Sequence, residues 1–375
     1  MHSPGRIQQS NRIGKFLQWI AGVLAWLILT PTIILAFVST LDHLDLLPES
    51  SSLHGIDFLP AFWLLIPIIT GLLLMVLAGR RRVPLAIGGL SLLYIVLCGD
   101  VSFAEFGRAF VRVDPAAEHL RVAALNVQYY SCGVDSVAAA LKKMDADVIL
   151  LSENSFDSSD QETRFVRSMA PMHYYAGHKN STAILSRYPI IAAEEVELPS
   201  HEASLSGGND ITDQASHPHR SFVHAVLNVH GNRLHAISIR LIAGRPKDHS
   251  FAENIKWGKY LLASQVKEES FFERYARNLK GPVIFGGDLN APPTSTVMRR
   301  FSRFATDSFL VDHLWGELTF RTEFPTLRLD YIFSMNGAIP VHSERVTCFV
   351  SDHFPVRSEF ALQPDRPGQL GLNAR

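Results

Sequence analysis

Cysteine is scarce in this sequence, and charge of neither sign dominates it. Of 375 residues only three are cysteines, Cys98, Cys132 and Cys348, which excludes the disulfide framework of a small secreted domain. A Cys132–Cys348 bridge stays open, although two buried thiols are the favoured alternative. Lys plus Arg number 35 against 36 Asp plus Glu, a formal net charge of −1. This balance does not indicate the basic surface typical of nucleic-acid binding.

Apolar residues are abundant, at 47% of the chain, and they concentrate in the first hundred positions. Long apolar runs cover about residues 13–38, 59–79 and 83–99. A hydrocarbon core takes about 20 helical residues to cross, so the runs predict three transmembrane helices, of which the third is marginal in length. The first run is too long for a signal peptide, and two more follow it directly.

Basic residues predict the orientation of this membrane region. Arg6, Arg12 and Lys15 precede the first helix, and residues 80–82 are three arginines between the second and third. The segment 39–58 carries acids and no Lys or Arg. The positive-inside rule therefore places the N-terminus and the arginines in the cytoplasm. Three crossings of the cell (inner) membrane would leave the rest of the chain outside the cytoplasm.

The remaining chain has the composition of one globular domain. We predict a membrane region over 1–100, a linker over 101–118, a catalytic domain over 119–363 and a disordered tail over 364–375. Many short strand-like runs with few helical segments between them predict sheet packed on sheet, with helices outside.

A short stretch, VIFGGDLNAPP, is the clearest sign of a functional site. Residues 283–285 read as a buried strand, and Gly286 and Gly287 permit a tight turn or a close approach. Asp288 and Asn290 then point to the same side if the chain stays extended. The alternative is a simple turn, because Asp, Asn, Gly and Pro dominate turns for local reasons.

Six further polar residues lie, like Asp288, at or beside the ends of apolar runs. The full set is Asn126, Glu153, Asp288, Asn290, Asp330, Asp352 and His353. Converging acids repel each other unless a cation joins them, and oxygen ligands suit Mg²⁺ or Mn²⁺. A metal ion, an acid that activates water and a His–Asp pair are what phosphate-ester hydrolysis needs.

Six motifs in this order resemble the endonuclease/exonuclease/phosphatase family. They are LNV at 125–127, SEN at 152–154, AILSRYPI at 183–190, GGDLNAPP at 286–293, LDYIF at 329–333 and SDHFPV at 351–356. The resemblance implies a four-layer αββα sandwich of the deoxyribonuclease-I type. In such a fold, two packed mixed β-sheets are flanked by helices, and the site lies at one rim of the sheets.

The resemblance also implies a metal site. Glu153 would be the main carboxylate ligand of Mg²⁺ or Mn²⁺. Asn126 and Asp352 would complete or support that site.

Catalytic roles are implied for four more residues. Asp288 would orient and deprotonate the attacking water, and Asn290 would hold a phosphate oxygen. His353 would contact the phosphate, while Asp330 fixes its tautomer and stabilises its charged form.

One position departs from the family pattern. Family members usually carry a second histidine at the end of an internal strand, where this sequence has Arg240 in LHAISIRL. Arginine suits a phosphate oxygen but transfers no protons at neutral pH. One alternative is that Arg240 merely covers a sheet edge. Another is that His249, in a loop further along the chain, takes the place of the missing second histidine. Arg220, at the start of another strand, is a second tentative phosphate ligand.

The sequence thus predicts a membrane-anchored, metal-dependent phosphoesterase, a hydrolase acting through water activated by Asp288. Its substrate could be a nucleic acid, a phospholipid headgroup or a small ester. Its other expected partner is the lipid bilayer, and no protein partner is inferred. The alternative is a weak or inactive family member that acts as an extracytoplasmic binding or signalling module. Arg240 alone favours that alternative.

Overall fold

A computed structural model describes eight stretches of the chain. These are residues 4–43, 61–80, 82–98, 117–177, 181–199, 220–243, 251–313 and 317–363. The chain forms two compact units, Met1–Val101 and Ser102–Arg375. The predicted linker up to residue 116, the predicted tail and His249 lie outside the described residues.

The N-terminal unit contains three helices at the predicted places. They are α1 (Pro4–His43), α2 (Ala61–Leu77) and α3 (Arg82–Cys98). Leu29 of α1 and Met75 of α2 are fully buried between the helices. Many other large apolar side chains of this unit point outward and are exposed.

Only one of these helices is long enough to cross a bilayer. Within the described part of the chain, Gly14–Leu41 is the one stretch whose length and composition suffice, with 28 residues. Helices α2 and α3 have 17 residues each, about 26 Å at 1.5 Å per residue, short of a core of about 30 Å. The prediction of three spanning helices is therefore corrected to one candidate.

The second unit contains twelve strands and four helices within its described residues. The first six strands are β1 (Glu118–Asn126), β2 (Val148–Ser152), β3 (His173–Ala176), β4 (Ala183–Ser186), β5 (Ile190–Glu197) and β6 (Ser221–Val229). The others are β7 (Asn232–Ser238), β8 (Val283–Asp288), β9 (Thr306–Asp307), β10 (Asp330–Met335), β11 (Ala338–Arg345) and β12 (Val356–Leu362). The helices are α4 (Val134–Lys143), α5 (Ser159–Met169), α6 (Phe251–Arg277) and α7 (Thr296–Phe304).

The strands form two six-stranded mixed sheets. Their orders are β11-β12-β1-β2-β4-β3 and β5-β6-β7-β8-β10-β9. Each sheet has one parallel pair at its centre, β1 with β2 and β7 with β8. All other neighbours are antiparallel.

Alternation along the strands produces three apolar layers. Val122 of β1 and Ile284 of β8 belong to the core between the sheets. Residues an odd number of positions away on the same strands point to the opposite face. Leu125 of β1 packs with α4 and α5, and Phe285 of β8 packs with α6 and α7. This period-two burial gives the four-layer α/β sandwich that the sequence predicted.

Two glycines permit close approaches at the site, Gly286 to β10 of its own sheet and Gly287 to residues of both sheets. A Cβ on Gly286 would lie 2.2 Å from the carbonyl oxygen of Tyr331. At Gly287, whose φ is +138°, a Cβ would lie 2.4 Å from the carbonyl oxygen of Ile239 and 2.9 Å from Oγ of Ser152. No larger residue fits these contacts, so the close approach, and not only a turn, explains the glycine pair.

The thiols agree with the favoured prediction in being free and differ from it in burial. Cys132 and Cys348 are free. Cys132 is exposed, because it lies in the turn that follows β1, whereas Cys348 is half-buried against the first sheet and its helices.

Candidate active site

The strand topology brings the predicted residues to one rim of the sandwich. Asn126 ends β1 and Glu153 directly follows β2, so both lie at the carboxyl ends of parallel strands. In the other sheet, Asp288 ends β8 and Arg240 follows its parallel partner β7. Strand β10 is antiparallel to β8, and its first residue, Asp330, pairs directly with Asp288.

Asp288 is buried and held by hydrogen bonds on both carboxylate oxygens. Oδ2 accepts Nδ2–H of Asn126 at 2.9 Å, and Oδ1 accepts the backbone N–H of Asn290 at 3.0 Å. Its own N–H donates to Oγ of Ser152 at 3.2 Å. Burial raises the pKa of the Asp288 carboxyl, because the nearby cations offset only part of the lost hydration. A poorly solvated carboxylate of this kind is a suitable proton acceptor.

His353 and Asp330 form the predicted pair. Nδ1–H of His353 donates to Oδ2 of Asp330 at 2.8 Å. Burial alone would lower the pKa of His353, but the charges of Asp330 and Asp288 outweigh it and raise the pKa to about 10. The imidazole is therefore charged at neutral pH, and its Nε2–H is a donor suited to a developing negative charge.

Backbone contacts fix the segment that carries His353. The N–H of His353 donates to Oγ of Ser351 at 3.2 Å, and the carbonyl of Asp352 accepts the N–H of Thr322 at 3.1 Å. The ring of Phe320 packs against the imidazole at 4.8 Å between centroids. The carboxyl of Asp352 lies beside Ser351 and is partly exposed, as a ligand that meets solvent would be.

Two carboxylates and an imidazolium cluster at this rim, and of the three side chains the two carboxylates could ligate a cation. The ligand atoms of Asp288, Asp330 and His353 lie within 4.8 Å of one another, the one such His, Cys, Asp or Glu group in the described part of the chain. This group differs from the predicted metal set of Glu153, Asn126 and Asp352. The two sets are nevertheless joined by the Asn126–Asp288 hydrogen bond.

Positive charge is in deficit at this rim. Burial raises the pKa of Glu153, and Asp288 adds to that shift, although Arg240 opposes it. Oδ1 of Asp330 is buried and has no hydrogen-bond partner among the described residues. Hard oxygen donors with too few cations fit Mg²⁺ or Mn²⁺.

Comparison with known proteins identifies the group to which this site belongs. The model of the Endonuclease/Exonuclease/phosphatase family matches residues 123–353, a range that contains every predicted site residue. The chain belongs to the endonuclease/exonuclease/phosphatase family. No curated protein matches.

Several solved structures are similar to this chain at low sequence identity, including two described as endonuclease/exonuclease/phosphatase proteins. The protein from Bacteroides vulgatus is 14% identical, with a TM-score of 0.50 over 66% of this chain and 100% of that one. The protein from Bacteroides thetaiotaomicron is 16% identical, with a TM-score of 0.49 over 66% and 99%. Humanised D. rerio TDP2 is 16% identical, with a TM-score of 0.46 over 64% and 98%.

Arg240, the departure from the endonuclease/exonuclease/phosphatase pattern, lies inside the site and does not cover a sheet edge. It is 4% exposed, its guanidinium donates to Oε1 of Glu153, and its Nε lies 3.9 Å from Oδ2 of Asp288. Arg220 is equally buried behind it: NH2 donates to the carbonyl of Arg240 at 2.8 Å, and Nε pairs with Glu268 at 2.5 Å. Arg220 is thus placed to support Arg240. This position does not favour the role of phosphate ligand that was predicted for Arg220.

Several supporting residues of this family site escaped the sequence analysis. Ser152 orients Asp288, and Oγ1 of Thr319 accepts the N–H of Asp330 at 3.2 Å. Ser351 had a readable signal, since a serine hydroxyl often accepts a backbone N–H two residues on. Thr319 and Phe320 had none, because they approach the site only through tertiary packing.

Proposed function

We propose that this chain is a divalent-metal-dependent phosphoesterase whose hydrolytic centre is the rim around Asp288. The observation that carries the proposal is the convergence of a buried carboxylate, Asp288, with a charged His353–Asp330 pair. A proton acceptor beside an imidazolium suits attack of water on a phosphate ester, because negative charge grows on the phosphoryl oxygens.

Asp288 takes the role of base in this proposal. The hydrogen bonds from Asn126 and Asn290 hold its carboxylate in one orientation, so the remaining lone pairs can receive a proton from water. His353 donates Nε2–H to a phosphate oxygen. Asp330 keeps the proton on Nδ1 and stabilises the imidazolium.

Asn290 is oriented for the phosphate role that the family resemblance implies. Its Nδ2 donates to the carbonyl of Leu241 at 3.0 Å, and its φ is 49°, a left-handed conformation that Asn tolerates better than most residues. With one amide N–H engaged, the second can donate to a phosphate oxygen.

Glu153, Asn126 and Asp352 would hold Mg²⁺ or Mn²⁺, as predicted, next to the Asp288 group. When bound, the ion would polarise a phosphoryl oxygen and neutralise charge that forms on it. The carbonyl-type oxygen of Asn126 already accepts the N–H of Gln128 at 2.9 Å, which orients it while leaving a lone pair.

The test uses the full chain purified in detergent. Hydrolysis of bis(p-nitrophenyl) phosphate is measured with Mg²⁺, with Mn²⁺ and with a chelator, for the natural chain, Asp288→Asn and Asp145→Asn. We expect metal-dependent turnover that Asp288→Asn abolishes and that Asp145→Asn, at the opposite rim, retains. Turnover equal in the natural chain and Asp288→Asn would refute the proposed centre and favour the inactive binding module.

A phospholipid headgroup is a second, narrower candidate for the substrate. Tyr129, Phe324 and Phe349 are exposed, the two phenylalanines at 71% and 68%. Apart from Ile191 they are the large apolar side chains so exposed among the described residues of this unit. All three lie in segments that carry or contact site residues, and aromatic side chains favour the membrane interface.

Vesicles test the lipid candidate against nucleic acid. Phe324→Ala and Phe349→Ala should reduce the release of phosphocholine from phosphatidylcholine vesicles, where water replaces the diacylglycerol oxygen on phosphorus, while leaving hydrolysis of the small diester unchanged. Single-stranded DNA is the second arm, since bases also stack on exposed aromatic rings. Loss confined to the DNA arm would assign the rim to a nucleic acid.

We further propose that the N-terminal unit attaches the enzyme to the cell (inner) membrane. The apolar stretch Gly14–Leu41 and the outward-facing apolar side chains of α1 to α3 support attachment. The basic residues before Gly14 favour a cytoplasmic N-terminus, so an odd number of crossings leaves the catalytic unit outside. A reporter fused after Arg375 that works only in the cytoplasm would refute this orientation.

A further inference from the structure

We propose that Arg240 is a built-in counter-ion that competes with the divalent cation for Glu153 and thereby sets the affinity of the site for metal. The inference rests on the proposed function in one respect, that the rim binds a divalent cation. It adds a role for the residue at which this chain departs from the family pattern.

Arg240 already makes the contact that a cation would make. Its guanidinium donates to Oε1 of Glu153, the main predicted metal ligand, and Nε is 3.9 Å from Oδ2 of Asp288. Both carboxylates are therefore partly neutralised by a side chain of the protein itself. A divalent ion that binds Glu153 must displace this contact or share the carboxylate with it.

The guanidinium is held at this position from behind. The carbonyl of Arg240 accepts NH2–H of Arg220, whose Nε pairs with Glu268. The other oxygen of Glu268 accepts the N–H of Ile242 at 2.8 Å. The backbone at Arg240, through Arg220, and at Ile242, directly, is thus anchored to one buried carboxylate, so the backbone cannot easily withdraw the arginine from the site.

Electrostatics gives the sign of the effect. Arg240 is buried, and charges interact far more strongly in such surroundings than in water. A guanidinium beside Glu153 repels an arriving divalent ion and occupies one of its ligand oxygens. Removing the charge should therefore tighten metal binding, whereas loss of a residue that merely orients the ligands would weaken it.

The experiment measures metal binding and not activity. Mn²⁺ is titrated into the full chain in detergent, and the free ion is followed by its electron paramagnetic resonance signal. The variants are Arg240→Gln, which removes the charge, and Arg240→Lys, which keeps it. Arg187→Gln is the matched control, an arginine paired with two carboxylates at the opposite rim.

We expect Arg240→Gln to bind Mn²⁺ about tenfold more tightly than the natural chain, the scale at which residues around a metal site act on its affinity. Arg240→Lys and Arg187→Gln should stay close to the natural value. If the natural chain binds Mn²⁺ and Arg240→Gln binds it equally or more weakly, the proposed competition by Arg240 is overturned, whereas the metal dependence of the proposed function still holds. Tight binding by Arg240→Gln and Arg240→Lys alike would also overturn it, because charge would then not be the cause. Absence of Mn²⁺ binding in every variant would overturn it together with the metal dependence of the proposed function.

Thermal unfolding provides a second readout that also reports folding. Without metal, Arg240→Gln should unfold at a lower temperature than the natural chain, because Glu153 and Asp288 lose a cation. Saturating Mn²⁺ should raise the midpoint of the variant more than that of the natural chain, since tighter binding stabilises the folded state more. An equal increase in both proteins would contradict the proposal.

Discussion

The two ends of strand β2 both collect acids, but they neutralise them differently. At the upstream end, Asp145 and Asp147 pair with Arg121 and Arg187, with N–O distances of 2.5 Å, 2.6 Å and 2.9 Å. Two carboxylates face two guanidinium groups, and most of these side chains are open to solvent. Exposed pairs of this kind contribute little to stability.

At the downstream end the acids are buried and outnumber their cations. Glu153, Asp288 and Asp330 have Arg240 and His353 as neighbouring positive groups, and the pKa values of Glu153, Asp288 and His353 are all raised. Burial without full compensation is costly, so such a cluster persists where function requires it. The contrast indicates that charge deficit, and not the number of acids, distinguishes the rim of the candidate site.

The largest expected effect is at Asp288. Asp288→Asn removes the proposed base while the amide can still accept and donate hydrogen bonds. We expect kcat/KM for the small diester to fall about 10²- to 10⁴-fold. A steady-state assay with saturating Mg²⁺ checks this, and a loss below tenfold would move the base elsewhere on the rim.

A smaller effect is expected from Asp330→Asn, which acts through His353. Without the carboxylate, the pKa of His353 should fall from its raised value, since Asp330 is the main group that raises it. Activity should drop roughly 10- to 100-fold, and the alkaline limb of the pH–rate profile should move to lower pH. An unshifted limb would contradict the pairing, whatever the rate.

The third prediction concerns stability and pH. The pKa of His353 in the folded protein, about 10, lies above its ordinary value near 6.5. The contribution of the charged His353 to the free energy of unfolding is therefore complete below about pH 6.5 and is lost as pH rises through about 10. In chelator, the unfolding midpoint should fall by about 5 °C more across this window in the natural chain than in His353→Gln. If the unfolding midpoint changes equally with pH in the natural chain and in His353→Gln, the stabilising role of the charged His353 is contradicted.

The smallest effect is expected at the balanced upstream end of β2. Asp145→Asn removes one exposed partner of Arg121 and Arg187. The midpoint of unfolding should change by no more than about 3 °C, and activity should be retained. A loss of activity comparable to that of Asp288→Asn would break the comparison between the two rims.

The sequence predicted most of the sandwich, because strands such as β1, β2, β6 and β8 have at least five residues, most of them apolar, a pattern typical of buried strands. It missed β9, which has two residues, and it missed β3 and β11 for local reasons. Strand β3 has four residues, and β11 is an edge strand with Pro340 at a bulge, where proline is tolerated. It also missed α5 and α7, which begin after the N-cap serines Ser158 and Ser295.

The candidate site was predictable residue by residue but not as a set of contacts. Asp288, Asp330 and His353 could be found because each lies at or beside the end of an apolar run in the sequence. The contact of Arg240 with Glu153 joins residues 87 positions apart, and no local pattern encodes it. The number of membrane-spanning helices was over-predicted because hydropathy detects apolar runs but does not show where a helix ends. Helices α2 and α3 end after 17 residues each.

The pairing of the strands has a consequence for the folding of the protein during its synthesis on the ribosome. Strand β1 pairs along most of its length with β12, from Glu118 with Leu362 to Ala124 with Val356, so the first and last strands in the described part of the second unit are neighbours. Contacts this distant in sequence form late and slowly. A nascent chain that has emerged only as far as β10 holds Asp288 and Asp330 but lacks His353 and the strand that closes the first sheet. The proposed hydrolytic centre is therefore incomplete until the last strands of this unit have been synthesised.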